Sequence, residues 1–375
     1  MCWSPSREGG GRSIRSVGVD ISTTADRSSG DPSSPRSPST AAIQTDRPVT
    51  RFRPFRNSDP PALVRLWNQG IPPSATARPL RVHELDAQAF GGVPFEAAGL
   101  IVGERDGRII GFVHAGFGPE LAMATAPPFQ VGHELGTIAM LVVEPGRDDR
   151  ELVAGLLSAA EQHLRVRGAQ VVYAGGLFPL NPFYWGLYGG SEGSGVLSGH
   201  ATFQRALIDR GYQPVSSTVL LEADLSNPEP RDPRAVLIRR QAQVEFLEDA
   251  LPSHWWENLA VGQFPMTAAR LVGKSDGIEL AQASTWDMQW FDREDGRARI
   301  GLINLAVAPE HRRKGYGRFL VSEILRRARA NLFAAVAVQT AASNQPALAL
   351  YASLGFAAIE QSTLYRLPAE RVLGP

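Results

Sequence analysis

Residues 300–319, IGLINLAVAPEHRRKGYGRF, decide how the second half of this chain is interpreted. The apolar run that ends at Pro309 predicts a buried strand, and the amphipathic pattern of residues 317–332 predicts a helix soon after it. Between the two, residues 311–317 read HRRKGYG, which is first basic and then glycine-rich. The stretch is therefore a strand-to-helix junction that places positive charge and two glycines at the start of a helix.

This junction is suited to an anion. The first N–H groups of a helix have no partner inside it, and the helix dipole adds partial positive charge there. Gly315 and Gly317 carry no side chains, so a phosphate can approach the backbone. Basic residues add charge around the same point: Arg312, Arg313, Lys314 and Arg318. We interpret the loop as a phosphate cradle; a solvated turn in which the glycines only cap is the alternative.

The pattern R-x-x-G-x-G at 312–317, after the strand end LAVAP at 305–309, resembles the acetyl-CoA motif of the GNAT acetyltransferase superfamily. Asn344 and Tyr351, seven residues apart, resemble the residues of the helix with which that superfamily closes its site. The resemblance covers residues 300–357 and is specific there. In the first half of the chain it is only architectural.

The resemblance implies a role for each matching residue. The strand end that holds the pantetheine arm and polarises the thioester carbonyl would be Leu305, Ala306 and Val307. The loop that wraps the pyrophosphate would be Arg312, Arg313, Lys314, Gly315, Tyr316, Gly317 and Arg318. Asn344 would bind the cofactor arm, although capping of its own helix is an alternative. Tyr351 would protonate the departing thiolate, although a purely structural core aromatic is an alternative.

The implied activity is transfer of an acetyl group from acetyl-CoA, as co-substrate, to a primary amine. The acceptor would be a small molecule, or an N-terminus or lysine of a peptide or protein. Attack on the thioester builds negative charge on the carbonyl oxygen, which a positioned backbone N–H stabilises. A phenol is a reasonable general acid for a thiolate, and no metal is required.

Gln339 departs from the family pattern. Several members carry a glutamate as general base five residues before the asparagine, which is Asn344 here. An amide cannot take a proton at neutral pH, so the base lies elsewhere, a water chain serves, or the amine arrives neutral. Glu279 and Asp287, on a predicted hairpin that faces the cleft, are candidates, and an ordinary solvated carboxylate is the alternative for each.

The first half of the chain repeats the element order of the second. A predicted hairpin with its turn at residues 105–107 corresponds to one with its turn at 275–277. An offset of 164 residues places Val143 on Val307 without gaps, and an offset of 144 aligns the last helix and strand. The difference between the offsets is an insertion around residues 177–196 in the first half.

The repeat predicts a mixed α/β fold of two tandem GNAT-like units, each a central, mainly antiparallel sheet flanked by helices. We predict a disordered Ser/Arg/Pro-rich tail at 1–48 (or a wrongly assigned start), a degenerate GNAT-like domain at 49–225, a linker at 226–234 and a catalytic GNAT domain at 235–375. The two-unit organisation is distantly similar to that of the mycothiol synthase family, in which one unit is catalytically silent.

The first half lacks the residues of the motif. The positions of the two glycines, the asparagine and the tyrosine are occupied there by Glu151, Val153, His200 and Leu207. Its loop, EPGRDDRELV at 144–153, is acidic and would repel a pyrophosphate. We therefore predict one working and one degenerate unit. The insertion NPFYWGLYGGSEGSG at 181–195 suits a loop that packs over a ligand, or an ordinary surface loop.

Composition limits the other functions. The 375 residues carry no net charge, which argues against a general attraction to nucleic acid or to anionic membranes. The only cysteine is Cys2, so neither an intrachain disulfide nor a thiolate metal site is available. We expect a cytoplasmic enzyme without a metal, a nucleic-acid partner or a membrane partner, and we leave the oligomeric state open. A non-catalytic acyl-CoA-binding regulator, favoured by Gln339 and by the degenerate first half, is the alternative function.

Overall fold

The computed structural model describes residues 49–73, 76–90, 94–119, 131–146, 149–176, 180–230, 232–252, 254–291 and 293–368. The predicted tail at 1–48 lies outside these residues. Among the described helices, none is long and apolar enough to cross a membrane. The division of the chain into domains and its cellular location stay predictions.

The first half contains seven strands and four α-helices within the described residues. They are β1 Arg51–Pro54, α1 Pro60–Gly70, α2 Val82–Leu85, β2 Leu100–Arg105, β3 Arg108–Pro119, β4 Val131–Val143, α3 Arg150–Val166, β5 Val171–Ala174, β6 Val196–Leu197, α4 Ala201–Arg210 and β7 Gln213–Asp224. A single π-helical turn, Asp86–Phe90, follows α2. The predicted hairpin turn is confirmed: Asp106 and Gly107 have φ of 53° and 74°, the left-handed pair that a tight β-hairpin requires.

The second half repeats this order, as the offsets predicted. Its elements are α5 Ala235–Gln241, β8 Ala242–Glu248, α6 Trp255–Val261, β9 Met266–Gly273, β10 Glu279–Asp287, β11 Arg299–Val307, α7 Tyr316–Ala330, β12 Ala335–Ala341, α8 Gln345–Ser353 and β13 Phe356–Arg366. Gly211 and Gly355, which the offset of 144 aligns, end the turns after α4 and α8 with φ of 91° and 85°. Both helices therefore stop in the same way.

The described strands form one mixed sheet in the order β1-β2-β3-β4-β5-β13-β7-β12-β11-β10-β9-β8, with β6 paired to β13. Only two neighbouring pairs are parallel, β4 with β5 and β11 with β12, and the two are equivalent under the repeat. The mixed, mainly antiparallel α/β fold is therefore confirmed.

The last strand of each half lies on the far side of the boundary between them. Strand β7 ends the first half but pairs with β12 of the second, while β13 ends the second half and pairs with β5 of the first. The two exchanged strands also pair with each other, with Phe356 opposite Ala223 and Arg366 opposite Gln213. The sheet is consequently continuous across the boundary between the two halves.

One face of the sheet carries a hydrophobic core that both halves share. It contains Trp67 from α1 and Trp185 from the insertion, together with Val261, Trp286 and other residues of the second half. On the other face, α3 and α4 cover one core, and α7 and α8 cover another that includes residues of β7. The shared core and the exchanged strands hold the two halves in one compact unit.

The alternative that the insertion is an ordinary surface loop was wrong. Its aromatic side chains belong to the shared core, with exposures of 4% or less: Phe183, Tyr184, Trp185 and Tyr188. That the insertion packs over a ligand stays a prediction. Gly186 makes close packing possible, because a Cβ there would lie 2.7 Å from the Trp286 ring. The insertion therefore packs between the two halves, and the burial of its aromatic side chains stabilises this position.

A buried ion-pair cluster ties the exchanged strand β7 to the second half. Glu222 on β7 accepts hydrogen bonds from Arg299 at 2.8 Å and from Arg293 at 3.2 Å. Both arginine side chains are only 6% exposed. Arg299 also binds Asp295, and its hydrogen bonds lower the pKa of that carboxyl to about 2. Glu222 therefore compensates the charge of Arg293 and shares that of Arg299 with Asp295.

Candidate active site

The candidate site begins where two parallel strands separate. β11 pairs with β12 over three residue pairs, of which the last joins Gly301 and Ala337. Beyond this point β11 stays paired only with β10, up to Val307, while β12 stays paired with β7, up to Ala341. The two strands diverge and leave a cleft, so backbone groups along the open side of β11 can bind a ligand.

A β-bulge bends β11 at the cleft. The register between β10 and β11 shifts at Asn304, whose φ of 56° is unusual for a residue with a side chain. The predicted strand end follows directly. Leu305 and Val307 are half-buried against the core under α7, and Ala306 is exposed. The bulge therefore turns the end of β11 away from β12.

The loop after β11 leads into an uncapped helix. Arg313 and Gly315 have φ of 60° and 89°, and Gly315 is the N-cap of α7 without any side-chain cap. The first N–H groups of α7 thus remain available to an anion, as the cradle interpretation requires. Gly317 has a packing role: a Cβ there would lie 3.0 Å from Val307 Cγ2 and 3.4 Å from Leu350 Cδ1.

Three basic side chains before the helix are exposed to solvent. Arg312 donates from Nε to the carbonyl oxygen of Val307 at 3.2 Å, which holds the Arg312 side chain beside the strand end. Arg313 and Lys314 make no hydrogen bond or ion pair with any described residue. Their charges are free to accompany an anion at the start of α7.

Arg318 and Tyr316, also predicted to wrap the pyrophosphate, contact other parts of the protein. Arg318 lies 2.7 Å from the carboxylate of Asp232 and donates to the hydroxyl of Ser353 at 3.1 Å. It therefore joins α7 to the predicted linker and to α8. Tyr316 is half-buried, and its ring centroid lies 6.0 Å from that of His311. Contact of either residue with a cofactor stays a prediction.

Asn344 caps α8. Its Oδ1 accepts a hydrogen bond from the backbone N–H of Ala347 at 3.3 Å, and its Nδ2 donates to Thr340 Oγ1 at 3.1 Å. The capping alternative is therefore confirmed. The residue is exposed, so a bond to a cofactor arm stays a prediction.

Tyr351 lies on α8 and is 4% exposed, with its ring 5.3 Å from that of Phe356. Its hydroxyl makes no hydrogen bond with any described residue. Burial, and secondly the charge of Glu192, raise the pKa of Tyr351 above its ordinary value. The phenol therefore keeps its proton at neutral pH, as a general acid must.

The Acetyltransferase (GNAT) family model matches residues 251–356. These residues form a GNAT acetyltransferase domain. The diverging strands, the basic loop, α7 and Asn344 and Tyr351 on α8 all lie within the match. The domain is therefore that of an acyltransferase. No curated protein matches the chain significantly.

Solved structures extend the likeness in fold over both halves of the chain. The glucosamine N-acetyltransferase region of a fungal multi-domain GH3 beta-N-acetylglucosaminidase has a TM-score of 0.62 and 16% identity, over 86% of this chain and 38% of that protein. A tandem GNAT protein from the clavulanic acid biosynthesis pathway has a TM-score of 0.60 and 15% identity, over 87% of this chain and 99% of that one. A GCN5-related N-acetyltransferase from Sphaerobacter thermophilus has a TM-score of 0.57 and 14% identity, over 85% of this chain and 96% of that one. These likenesses show the tandem GNAT fold.

In the N-terminal half, a side chain caps the helix start that corresponds to the start of α7. Helices α3 and α7 end at aligned residues, Val166 and Ala330, but α3 begins two residues earlier than α7 in the alignment. The carboxylate of Asp149 accepts a hydrogen bond from the N–H of Leu152 at 3.0 Å and pairs with Arg105 at 2.7 Å. A carboxylate therefore already occupies the end of α3 that an anion would need.

The N-terminal half also differs at the positions aligned with Asn344 and Tyr351. His200 begins α4 where Asn344 begins α8, but it is buried and lies 2.9 Å from the Tyr188 hydroxyl. Burial lowers the pKa of His200 to about 4, so it is neutral. Leu207 takes the place of Tyr351. A cavity of about 670 Å³ remains between α3 and α4, yet it lacks the uncapped helix end and the phenol.

Sequence reasoning missed Glu192, which lies beside the site although it belongs to the N-terminal half. Gln339 is buried and donates from Nε2 to the carbonyl oxygen of Gly193 at 2.8 Å, so the insertion reaches into the cleft of the C-terminal domain. The residue at the family's glutamate position thus anchors a loop that carries another glutamate. The available signal was a single charge among the small residues of GGSEGSG, 189–195.

The two carboxylates first considered as bases have other partners. Glu279 is half-exposed and accepts a hydrogen bond from Arg270 Nε at 2.7 Å. Asp287 lies opposite Ile300, at the end of β10 away from the bulge, and accepts a hydrogen bond from the N–H of Gln289 at 2.8 Å. Neither geometry favours a catalytic role.

Proposed function

We propose that the C-terminal domain transfers an acetyl group from acetyl-CoA to a primary amine. The observation that carries the proposal is an uncapped, glycine-started helix with two free cations, placed at the open end of diverging strands beside a buried tyrosine. The diphosphate of the co-substrate fits the start of α7, and its arm fits the cleft along β11. Cytoplasmic localisation belongs to the same proposal.

The reaction proceeds by direct attack. The amine nitrogen adds to the thioester carbonyl while a backbone N–H near Leu305–Val307 stabilises the developing oxyanion. The carbon–sulfur bond then breaks, and Tyr351 gives its proton to the departing thiolate. The ordinary thiol pKa of about 8.5 means that the sulfur needs only modest assistance.

The acceptor is a small molecule, or an N-terminus or lysine of a peptide or protein. One similar structure is named as a glucosamine N-acetyltransferase region, so an amino sugar belongs in the first assay panel. A polyamine and a lysine-containing peptide complete the panel. The alternative, a non-catalytic acyl-CoA-binding regulator, is favoured by Gln339 and by the degenerate N-terminal half. Glu192 weakens the first reason, because it is a carboxylate on the loop that Gln339 binds.

Tyr351→Phe tests the proposal. The phenylalanine keeps the packing against Phe356 but has no proton to give, so kcat is expected to fall about 10–100-fold. Thiol release from acetyl-CoA in the presence of the acceptor measures kcat, and calorimetry measures the acetyl-CoA Kd. We expect the Kd to change less than about twofold, because the ring stays in place. Unchanged turnover in the variant would remove Tyr351 from the mechanism.

A further inference from the structure

The loop at residues 190–193 of the N-terminal half sits where β11 and β12 separate. Ser191 donates from its hydroxyl to the carbonyl oxygen of Leu302 on β11 at 3.0 Å, and its own carbonyl accepts from the Trp286 indole at 2.9 Å. Gly193 is held by Gln339 of β12 at 2.8 Å. The loop is therefore bonded to both strands, and its position is fixed by buried contacts.

Gly301 confirms how closely the loop approaches. It is the last residue of β11 that pairs with β12, and a Cβ there would lie 2.9 Å from Ser191 Cβ. The side chain between the two anchored residues is Glu192. Its backbone is thus held at the apex of the cleft, a few residues along β11 from the predicted thioester site at Leu305–Val307.

Two titratable side chains of the C-terminal domain interact electrostatically with Glu192. Its charge acts on Tyr351 of α8, and it is itself acted on by the charge of Glu257 of α6, which accepts a hydrogen bond from Asn304 Nδ2 at 2.6 Å. The half-buried carboxylate of Glu192 makes no hydrogen bond or ion pair with any described residue. Burial, and secondly Glu257, raise the pKa of Glu192 to about 7.

We propose that Glu192, supplied by the N-terminal half, is the general base of the acetyl transfer in the C-terminal domain. The inference rests on the proposed function. As the N–C bond forms and the C–S bond breaks, one proton of the amine passes to the Glu192 carboxylate, directly or through one water. Tyr351 gives a proton to the sulfur on the other side of the reacting carbon. Solvent then takes the proton from Glu192 and returns one to Tyr351.

This assignment gives the N-terminal half a catalytic purpose. Its own site has lost the uncapped helix and the phenol, but its insertion completes the site of its partner unit. Gln339 becomes a positioning residue, because its amide can donate to the Gly193 carbonyl, which a carboxylate cannot do. The N-terminal half then supplies the carboxylate that position 339 lacks, which also explains why the degenerate unit is retained.

The test compares Glu192→Gln, Glu192→Asp and the control Glu279→Gln in the full chain, with acetyl-CoA and the best acceptor from glucosamine, spermidine and a lysine peptide. At pH 7 we expect kcat to fall about 100-fold in Glu192→Gln, and less in Glu192→Asp, with the acetyl-CoA Kd unchanged. The control is expected to keep full activity, because Glu279 is already paired with Arg270 on a solvent-accessible face of β10.

The pH profile separates a base from a structural group. The rate of the unaltered protein should rise with pH through about 7 and then level off, because Glu192 must be deprotonated. Glu192→Gln should instead keep rising towards the pKa of the acceptor amine, so its deficit shrinks at high pH. Glu257 and Tyr351, the titratable groups that face Glu192, remain in both proteins.

Each outcome decides a different point. If the unaltered protein acetylates an acceptor and Glu192→Gln retains its rate and its plateau near pH 7, the base assignment is wrong and the proposed function stands. A uniform loss at every pH, with weaker acetyl-CoA binding, would show that Glu192 is only structural. If the unaltered protein binds acetyl-CoA but acetylates nothing in the panel, the proposed function fails first and the base assignment with it.

Discussion

Gly315→Glu is expected to abolish acetyl-CoA binding, with Kd rising at least about 100-fold. Gly315 has a φ of 89°, and a residue with a Cβ pays about 1–2 kcal/mol in that conformation. The new carboxylate would also lie at the start of α7, where it competes for the free N–H groups and repels a diphosphate. Together these effects amount to about 3 kcal/mol, and every 1.4 kcal/mol is a factor of ten. Calorimetric titration with acetyl-CoA measures the loss.

Two further variants separate the causes. At Gly315→Ala the Cβ would meet only ordinary contacts, 3.7 Å from Ile238 Cδ1 and 3.9 Å from Arg234 Cδ, so only the backbone strain remains and about a tenfold loss is expected. Glu151→Gln changes the aligned, exposed position of the N-terminal half and should leave acetyl-CoA binding nearly intact. Equal loss in the two halves would contradict the assignment of one working and one degenerate unit.

The sequence predicted what depends on neighbouring residues. The strand, the basic loop and the glycine-started helix at 300–330 form from local periodicity and from a backbone position that requires glycine. The repeat was visible for the same reason, since both halves keep the order and spacing of their elements. Capping also followed from local chemistry, as Asn344 shows.

The features that the sequence did not predict depend on contacts between distant residues. The exchange of β7 and β13 requires Gln213 to lie opposite Arg366, and no local pattern encodes a pairing across that separation. The burial of the aromatic insertion was not predicted for the same reason, because its packing partner Trp286 belongs to the other half. Glu192 stayed hidden because its importance depends on Gln339, which lies far along the chain and holds the loop in place.

The earlier start of α3 shows how one side chain removes a site. The offset of 164 aligned Glu151 with Gly315 and correctly indicated a changed loop. What closes the helix end, however, is Asp149, whose carboxylate bonds to the N–H of Leu152. An acid at this point stabilises the helix by about 1 kcal/mol and at the same time occupies the place of a phosphate. Helix stability and anion binding therefore compete for the same N–H groups.

Glu222→Gln is expected to destabilise the whole sheet by roughly 3 kcal/mol. Glu222 lies on the exchanged strand β7, where it compensates Arg293 and, together with Asp295, Arg299; both arginines are only 6% exposed. Removing one member of a buried ion pair leaves an uncompensated charge, and such changes cost about 3–5 kcal/mol. Burial already lowers the pKa of Arg293 to about 10, which shows that its charge is poorly solvated even with Glu222 present. Chemical denaturation of the variant and of the unaltered protein measures the free energy of unfolding.

Glu279→Gln is the matched control, because it removes the same charge from an exposed pair with Arg270 and should cost no more than about 1 kcal/mol. The difference between the variants should persist in high salt, since salt screens exposed pairs far better than buried ones. Because Glu222 joins a strand of one half to arginines of the other, both halves should lose stability together in Glu222→Gln. If the N-terminal half kept its stability while the C-terminal half melted alone, the exchanged strand would not be what couples them.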